Sequence, residues 1–287
     1  MQFLRKNKII LLLITIAFSF SACSNEIPAE SIPTIETFDN TSDIFSTTKE
    51  DVRTIARDAL KSLHFTGIEK DIIIDEGGDY ELSGALNGQI LIRAEENVVH
   101  LFLNNVQIKS NNGSAIYVES ASKLVLTSLP GTENILTDSK NIDEADISDA
   151  CIYSESDVTI NGEGSLQIQG RNKKGLHSKD ILKIIKTNLY SQSLGDSIQG
   201  NDGICIFQSD IKIQSQGNGI RTTKSGKNHK GCIDISESNI SISSGQYGIV
   251  TDDDLYVSSS KVLISTMFNL TKVNGKTFID EDNIQKH

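Results

Sequence analysis

A repeat of about 22 residues is the sequence feature that most constrains the fold. Each repeat starts with an apolar head residue, carries a second apolar pair six residues later, and has a third apolar group thirteen or fourteen residues after the head. Within each group apolar residues alternate with polar ones, which is typical of a strand with one buried face. The repeat therefore predicts a coil with three short strands per turn. The head residues are Ile152, Leu176, Ile198, Ile220 and Ile249.

Stacking of the repeats explains how such short strands can form a core. One turn cannot bury its apolar side chains alone, whereas stacked turns bury them against each other. Parallel strands joined by crossovers are right-handed in nearly all proteins. We therefore expect an all-β fold, a right-handed parallel β-helix, over residues 72–266. A sandwich or an antiparallel barrel would not keep the same three-part register through five segments. An insertion of seven residues, 224–230, interrupts the turn that starts at Ile220.

Two segments outside the repeat are predicted to close its ends. Residues 47–67 have apolar side chains at helical spacing behind a threonine that can cap a helix. We expect this capping helix to cover the first turn, whose core and strand edge would otherwise be exposed. The repeat stops at Met267, and Asn274-Gly275 favours a tight hairpin. Residues 267–287 are therefore predicted to form a C-terminal cap.

The first residues are typical of an export signal. Three basic residues precede an apolar stretch at 9–20, which is too short to span a bilayer. The sequence FSAC, which ends at Cys23, resembles a bacterial lipobox. We predict that residues 1–22 are a lipoprotein signal peptide and that Cys23 is lipidated, so that the protein is exported and anchored in the membrane at the cell surface or envelope. Residues 23–46 then form a flexible tether. The alternative is an ordinary signal peptide with an incidental cysteine.

The mature protein is acidic. The full chain carries a net charge of −11, and removal of residues 1–22 takes away three basic residues and no acidic one, which leaves −14. Phosphate contact needs a basic face, so nucleic acid is not an expected partner. A divalent cation can nevertheless bridge an acidic protein to an anionic ligand.

One column of acidic residues is predicted in the turns between strands. Asp180 and Asp202 lie four positions after their head residues in successive repeats, and Asp157 lies one position later in its own repeat. Neighbouring turns are about 4.8 Å apart, so these carboxylates stack and repel each other. A bound Ca²⁺ would remove that cost, since it accepts six to eight oxygen ligands. The alternative is a solvated turn, where aspartate is common for backbone reasons.

A second column lies two residues before the heads. Asp196 and Asn218 occupy this position in successive repeats and could share a cation, and Asp149 is close by in a preceding turn. Lys174 occupies the same position in its own repeat. It is therefore interpreted as an internal replacement for a metal ligand.

Other reactive or aromatic residues give weaker signals. The three cysteines after Cys23 are odd in number and have no metal-binding spacing, so free thiols are the default interpretation. The five histidines also lack such spacing. Exposed tyrosines could stack on sugar rings, although tyrosine is also a common strand residue. These are Tyr153, Tyr190, Tyr247 and Tyr256.

Several segments occur in the order found in one known family. They read GDYELSG at 78–84, LFLNNV at 101–106, GSAIYV at 113–118, PGTENILTD at 130–138, INGEGSL at 160–166 and GLHSKD at 175–180. This series resembles a bacterial carbohydrate-binding domain family of calcium-containing, right-handed parallel β-helix proteins, similar to pectate lyases in shape. The resemblance implies polysaccharide binding and Ca²⁺ between turns. The family's Asp-Gly-Ile turns match only in part, because Asp196 is kept whereas Lys174 and Asn218 replace the aspartate.

Three functions are compatible with this sequence. The preferred one is a cell-surface lipoprotein that binds an acidic or plant-type polysaccharide with the assistance of Ca²⁺ and without catalysis. The second is a calcium-dependent polysaccharide lyase, in which Lys174, Lys179 or Arg171 would act as the base. The third is a structural or adhesive envelope protein. A monomer is assumed in each case.

Overall fold

The protein is a parallel β-solenoid with three faces. A computed structural model describes residues 46–52, 57–140, 148–280 and 283–287. All strand pairs in these residues are parallel, and the described residues contain no α-helix. The all-β, three-stranded coil predicted from the repeat is therefore confirmed.

Within the described ranges, face A consists of nine short strands, one in each turn. They pair in chain order, with the head residues in register from Ile116 to Ile152, Leu176, Ile198, Ile220 and Ile249. The strands are β2 (Ile72–Ile74), β4 (Ile90–Arg93), β6 (Ile116–Ser120), β9 (Ala150–Ser154), β11 (Lys174–Ser178), β13 (Ile198–Gly200), β16 (Ile220–Arg221), β19 (Ile249–Thr251) and β22 (Thr271–Val273).

Faces B and C share long strands that bend from one face to the other. The long strands are β1 (Lys61–Glu69), β3 (Gly78–Asn87), β5 (Val98–Lys109), β10 (Asp157–Gly170) and β12 (Ile181–Ser193). Face B also contains β7 (Lys123–Ser128), β14 (Gly203–Phe207), β17 (Ile233–Ser236), β20 (Leu255–Ser258) and β23 (Thr277–Ile279). Face C also contains β8 (Glu133–Thr137), β15 (Asp210–Ser215), β18 (Asn239–Ser244), β21 (Lys261–Thr266) and β24 (Ile284–Lys286).

The corner between faces B and C needs a left-handed backbone residue in most turns. Gly162 has φ +101°, and a Cβ atom there would lie 2.3 Å from the carbonyl oxygen of Ser128. Other turns place non-glycine residues at the same corner, including Asn105 at φ 53° and Lys186 at φ 46°. A positive φ costs conformational free energy in such residues, and strand pairing with the turns on both sides must offset that cost.

The core is a continuous column of aliphatic side chains along the axis. The inward residues of all three faces form one cluster, in which the five head residues of the repeat are fully buried. Burial of this kind contributes about 25 cal/mol for each Å² of apolar surface removed from water.

The predicted capping helix at 47–67 is wrong over most of its length. Two short 3-10 turns, Glu50–Val52 and Arg57–Ala59, precede a strand, β1, which pairs with β3. Leu63 and Phe65 of β1 pack against the core. Their alternation with polar neighbours suits a strand, and pairing with the next turn outweighs helical spacing.

The predicted C-terminal hairpin is also wrong. β22, β23 and β24 each pair in parallel with the strand one turn earlier, on faces A, B and C respectively. The amide of Asn274 donates to the carbonyl oxygen of Thr251, and the amide of Gly275 donates to that of Asp253. Residues 267–287 thus add a further turn, and the solenoid spans residues 61–286 rather than 72–266.

Candidate functional site

The predicted acidic column lies where face A turns into face B. The amide of Asp202 donates to the carbonyl oxygen of Asp180 at 3.2 Å, and Asp157 accepts a hydrogen bond from the amide of Ile181 at 3.0 Å. Burial, followed by the charges of Asp202 and Asp157, raises the pKa of Asp180. The three carboxylates therefore stack and repel each other, as predicted.

The insertion supplies the cations for this column. Lys224 Nζ lies 2.6 Å from Asp202 Oδ1, and Lys230 Nζ lies 2.7 Å from Asp202 Oδ2. Burial raises the pKa of Asp202, but these two ammonium groups outweigh it and hold the pKa below its ordinary value. Asp202 thus has two ammonium partners from its own chain.

Asp149 has an internal cation of the same kind. Lys174 Nζ lies 2.5 Å from Asp149 Oδ2, and His177 Nδ1 lies 2.6 Å from Asp149 Oδ1. Burial opposes ionisation of Asp149, yet the contacts with His177 and Lys174 lower its pKa to about 2. The interpretation of Lys174 as an internal replacement for a ligand agrees with this contact.

Asp196 and Asn218 come together as predicted, but through hydrogen bonds. Asp196 Oδ1 accepts from both the amide and the side-chain Nδ2 of Asn218, each at 2.8 Å. Arg221 binds the other carboxylate oxygen at 3.2 Å, and the side-chain oxygen of Asn218 accepts from the amide of Tyr247. The Asn218 oxygen is therefore not aimed at an ion shared with Asp196.

These contacts decide how well the predicted ligand set fits Ca²⁺. Calcium needs six to eight free oxygen ligands, and an ammonium or guanidinium group at the same carboxylate takes its place. Asp149, Asp196 and Asp202 all carry such a group. Of the five predicted aspartate ligands, Asp157 and Asp180 alone have no basic partner among the ion pairs of the described residues, so the set as a whole does not fit calcium.

The outer surface of face C carries two grooves. A groove of about 660 Å³ crosses β8, β10, β12, β15, β18 and β21, and a second groove of about 590 Å³ lies beside it. Strand register arranges its outward side chains in columns. These are Ser165, Asn188, Asp210, Asn239 and Lys261; then Gln167, Tyr190, Lys212, Ser241 and Leu263; then Gln169, Gln192, Gln214, Ser243 and Ser265.

Tyr190 is the aromatic residue of this groove. Its hydroxyl donates to Gln214 Oε1 at 2.7 Å, which fixes the ring on the surface. Lys212 Nζ lies 5.8 Å from the ring centroid. An apolar ring beside a cation, framed by amides and hydroxyls, can stack on a sugar ring and bind its polar substituents.

Taken together, the two grooves have more basic than acidic residues, although the protein is acidic: the first groove is balanced and the second has basic residues alone. Four basic residues line them, against the two acidic residues Glu133 and Asp210. The basic residues are Lys140, Arg171, Lys212 and Lys261. Sequence reasoning did not single out face C, although the outward columns recur at the period of the repeat and could have been read from it.

The other predicted tyrosines differ in position. Tyr153 is buried and lies edge-on to Tyr117 and His177, so its predicted exposure is wrong. Tyr247 lies at the turn before face A, close to Phe268, and Tyr256 stacks on Phe278 on face B. Tyr190 is thus the predicted tyrosine that lies in the face C groove.

The fold defines the class of the protein, a parallel β-solenoid similar in structure to a polysaccharide lyase-like protein. One solved structure is described as "the polysaccharide lyase-like protein from C. thermocellum, Gadolinium derivative". It matches with a TM-score of 0.74 and 27% sequence identity, covering 82% of this chain and 96% of that chain.

The family follows from the sequence match. The model of the family described as carbohydrate-binding domain-containing protein matches residues 68–283, so the chain belongs to this family. A relative of the same description from Acetivibrio thermocellus is 35% identical over 127 residues. The match covers 42% of this chain and 44% of the relative, so it spans less than half of the relative's length.

The N-terminal predictions concern residues outside those described. The signal peptide, Cys23 and nearly all of the tether lie in residues 1–45. Among the described residues, no helix is long and apolar enough to cross a membrane.

Proposed function

We propose that this protein binds an acidic polysaccharide along face C and does not cleave it. The observation that carries the proposal is the groove across six neighbouring turns, with Tyr190 and Lys212 at its centre. Equal spacing of the turns, about 4.8 Å, repeats the same outward positions along the surface. Such a surface suits a linear polymer, and membership of a carbohydrate-binding family supports the same ligand class.

The charge of the grooves favours acidic glycans over neutral ones. Ammonium and guanidinium groups line the grooves, and such groups can pair with uronate carboxylates. They belong to Lys212, Lys261, Arg171 and Lys140. Complementary charges speed association and improve specificity. A net excess of two basic residues in these grooves, on a protein of net charge −11, also orients an anionic chain toward this face.

The candidate bases do not favour a lyase. Lys174 is bound to Asp149, and Lys179 Nζ lies 3.9 Å from Glu155 Oε1. Arg171 lines the second groove, but its guanidinium has no predicted metal ligand in that lining. A base for β-elimination must reach the proton that it removes. Two of the three candidates are instead engaged with carboxylates away from the grooves.

Calcium has no role in the proposed binding. The candidate ligands Asp157 and Asp180 lie at the turn from face A to face B, whereas the grooves lie on face C. An ion held there would contact no sugar bound in the grooves. The role that the sequence predicts for Ca²⁺, a bridge to uronate, is taken in this proposal by the basic side chains of face C.

Membrane anchoring through Cys23 remains part of the proposal. A lipidated Cys23 would hold the solenoid at the cell surface or envelope, where a polysaccharide is accessible. Fractionation of cells that express Cys23→Ala tests this, because loss of the lipid should release the protein from the membrane fraction. A Cys23→Ala protein that stays in the membrane fraction would contradict the anchor.

The function is tested with polygalacturonate as the probe. Affinity electrophoresis of the purified solenoid should show retardation by polygalacturonate and weaker retardation by a neutral glucan. Incubation with polygalacturonate should yield no unsaturated product that absorbs in the ultraviolet. If no glycan retards the protein, the binding function is rejected and the structural alternative is favoured. An ultraviolet-absorbing product would show that the protein is a lyase.

A further inference from the structure

Three different metal-binding side chains converge where the insertion returns to the solenoid. They are His229 at the end of the insertion, Cys232 just before β17, and Asp254 just before β20. One ligand atom from each, a ring nitrogen, the Sγ atom and a carboxylate oxygen, lies within 4.8 Å of the other two. No other group of three such residues meets this criterion within the described part of the chain.

Backbone contacts fix this arrangement. His229 adopts a left-handed conformation, φ 58°, and its carbonyl oxygen accepts a hydrogen bond from the amide of Cys232 at 3.1 Å. The amide of Ile233 donates to the carbonyl oxygen of Asp254 at 3.0 Å, which brings the next turn alongside. The three ligands therefore come from the insertion and from two successive turns.

The carboxylate of Asp254 is oriented by its own partners. Its Oδ2 atom accepts a hydrogen bond from the hydroxyl of Tyr256 at 3.0 Å, and its Oδ1 atom accepts one from the amide of Lys276 at 2.6 Å. Hydrogen bonds of this kind hold a ligand in place for a metal and are a common feature of metal sites. The ring of His229 also lies edge-on to Tyr256, at a centroid distance of 6.4 Å.

We propose that His229, Cys232 and Asp254 bind a divalent transition-metal ion of the Zn²⁺ class. A thiolate, an imidazole and a carboxylate are the ligands that Zn²⁺ and Co²⁺ take in tetrahedral sites, whereas Ca²⁺ takes oxygen alone. His229 is exposed, so an ion can enter from solvent. The ion would fasten the insertion to the following turn, while Lys224 and Lys230 fasten it to Asp202 in the preceding one.

The surroundings of the Cys232 thiol favour a bound cation. Cys232 is buried beside the carboxylates of Asp253 and Asp254. The negative charges of these two carboxylates stabilise a divalent cation bound beside them. Binding releases the thiol proton to solvent and leaves a thiolate on the ion.

Cobalt titration of metal-free, reduced protein tests the proposal. Wild type should bind one Co²⁺ with a sulfur-to-cobalt charge-transfer band in the near ultraviolet, and Zn²⁺ should abolish the band. Work under anaerobic, reducing conditions is needed because Cys205 packs against Cys232 and oxidation could join them. Cys232→Ser should lose the band, and His229→Gln should weaken Co²⁺ binding at least about tenfold.

Controls separate this site from other thiols and from misfolding. Cys151→Ser removes a buried thiol elsewhere in the solenoid and should leave the band unchanged. His229 is exposed, so His229→Gln should fold normally and remain a valid test. Zn²⁺ should also slow amide exchange in residues 224–230 of wild type but not of His229→Gln. A band that is absent in wild type, or that persists unchanged in Cys232→Ser, would overturn the proposal.

Discussion

Lys183 Nζ lies 3.1 Å from Asp51 Oδ2 on the outer side of face B, and both side chains are buried. Lys123 Nζ lies 2.9 Å from the other carboxylate oxygen, and the hydroxyl of Thr159 donates to that same oxygen. The first described turn of the chain is thus fastened across three strands of the solenoid. The sequence predicts that this N-terminal segment covers the end of the coil as a helix. It instead lies against the side of the solenoid, where Asp51 forms an ionic contact with face B.

Asp51→Asn should destabilise the protein by about 3–5 kcal/mol, because it leaves two buried ammonium groups without a counter-charge. Chemical denaturation at pH 7 measures this change in the free energy of unfolding. Asp58→Asn is the matched control, since Asp58 is an exposed carboxylate in the neighbouring 3-10 turn. Equal small effects of the two substitutions would show that the ionic contact does not stabilise the fold.

The same contact predicts a dependence on acid. Burial raises the pKa of Asp51, but the charges of Lys183 and Lys123 outweigh it and hold the pKa well below the ordinary value of 3.8. A lowered folded-state pKa gives stability that is present above about pH 4 and is lost as the pH falls toward the folded-state pKa. The stability difference between wild type and Asp51→Asn should therefore shrink from pH 5 to pH 2. A constant difference would contradict this linkage.

Asp234→Asn should stabilise the protein near neutral pH, whereas Asp51→Asn should destabilise it. Asp234 lies buried on face B, and burial raises its pKa to about 6. The folded state holds the proton more tightly than the unfolded state. Stability is therefore lost as the pH rises from about 4 through about 6, and the loss is at most about 3 kcal/mol above that. Asp234→Asn should raise the midpoint of thermal unfolding at pH 7.5 and change it little at pH 4. A lower midpoint at pH 7.5 would mean that the carboxylate is stabilising.

Much of the fold follows from the sequence, because inward residues must repeat when turns stack. Ile152, Leu176 and Ile198 lie in one buried column, as their spacing predicts. The ends were mispredicted because β1 and β22 are held by pairing with the adjacent turn, which local spacing does not reveal. The acidic columns were placed correctly by register.

The partners of those acidic residues were harder to predict. Lys224 and Lys230 reach Asp202 from an insertion that breaks the repeat, so no register relates them. The convergence of His229, Cys232 and Asp254 has the same cause, since His229 and Cys232 lie in the segment that contains the insertion, between β16 and β17, and Asp254 lies between β19 and β20. Contacts between repeats can be predicted from residue spacing in the sequence. Contacts made by the insertion can be identified only in the three-dimensional structure.

Removal of the insertion's lysines should create a calcium dependence that wild type lacks. Lys224→Gln/Lys230→Gln leaves the stack of Asp157, Asp180 and Asp202 without its cations. Added Ca²⁺ should then raise the unfolding midpoint of the double variant by about 2–4 °C for each kcal/mol of binding. The midpoint of metal-free wild type should not change when Ca²⁺ is added. A large rise of the metal-free wild-type midpoint on addition of Ca²⁺ would show that the native protein itself binds calcium.

Tyr190→Ala should weaken polygalacturonate binding about three- to tenfold, because it removes an aromatic contact worth roughly 0.5–1.5 kcal/mol. Tyr247→Ala is the matched control, since Tyr247 lies at a turn outside both grooves. Dissociation constants from calorimetry compare the two variants. Similar losses in both would remove the support for face C as the binding surface.

Charge reversal on face C tests the central claim most directly. The measurement is the dissociation constant for polygalacturonate of Lys212→Glu beside that of Lys227→Glu, which makes the same charge change on the exposed insertion. Repulsion at the groove should weaken binding by Lys212→Glu at least about tenfold, and Lys227→Glu should stay within about twofold of wild type. Equal weakening of both variants, or none in Lys212→Glu, would contradict binding along face C.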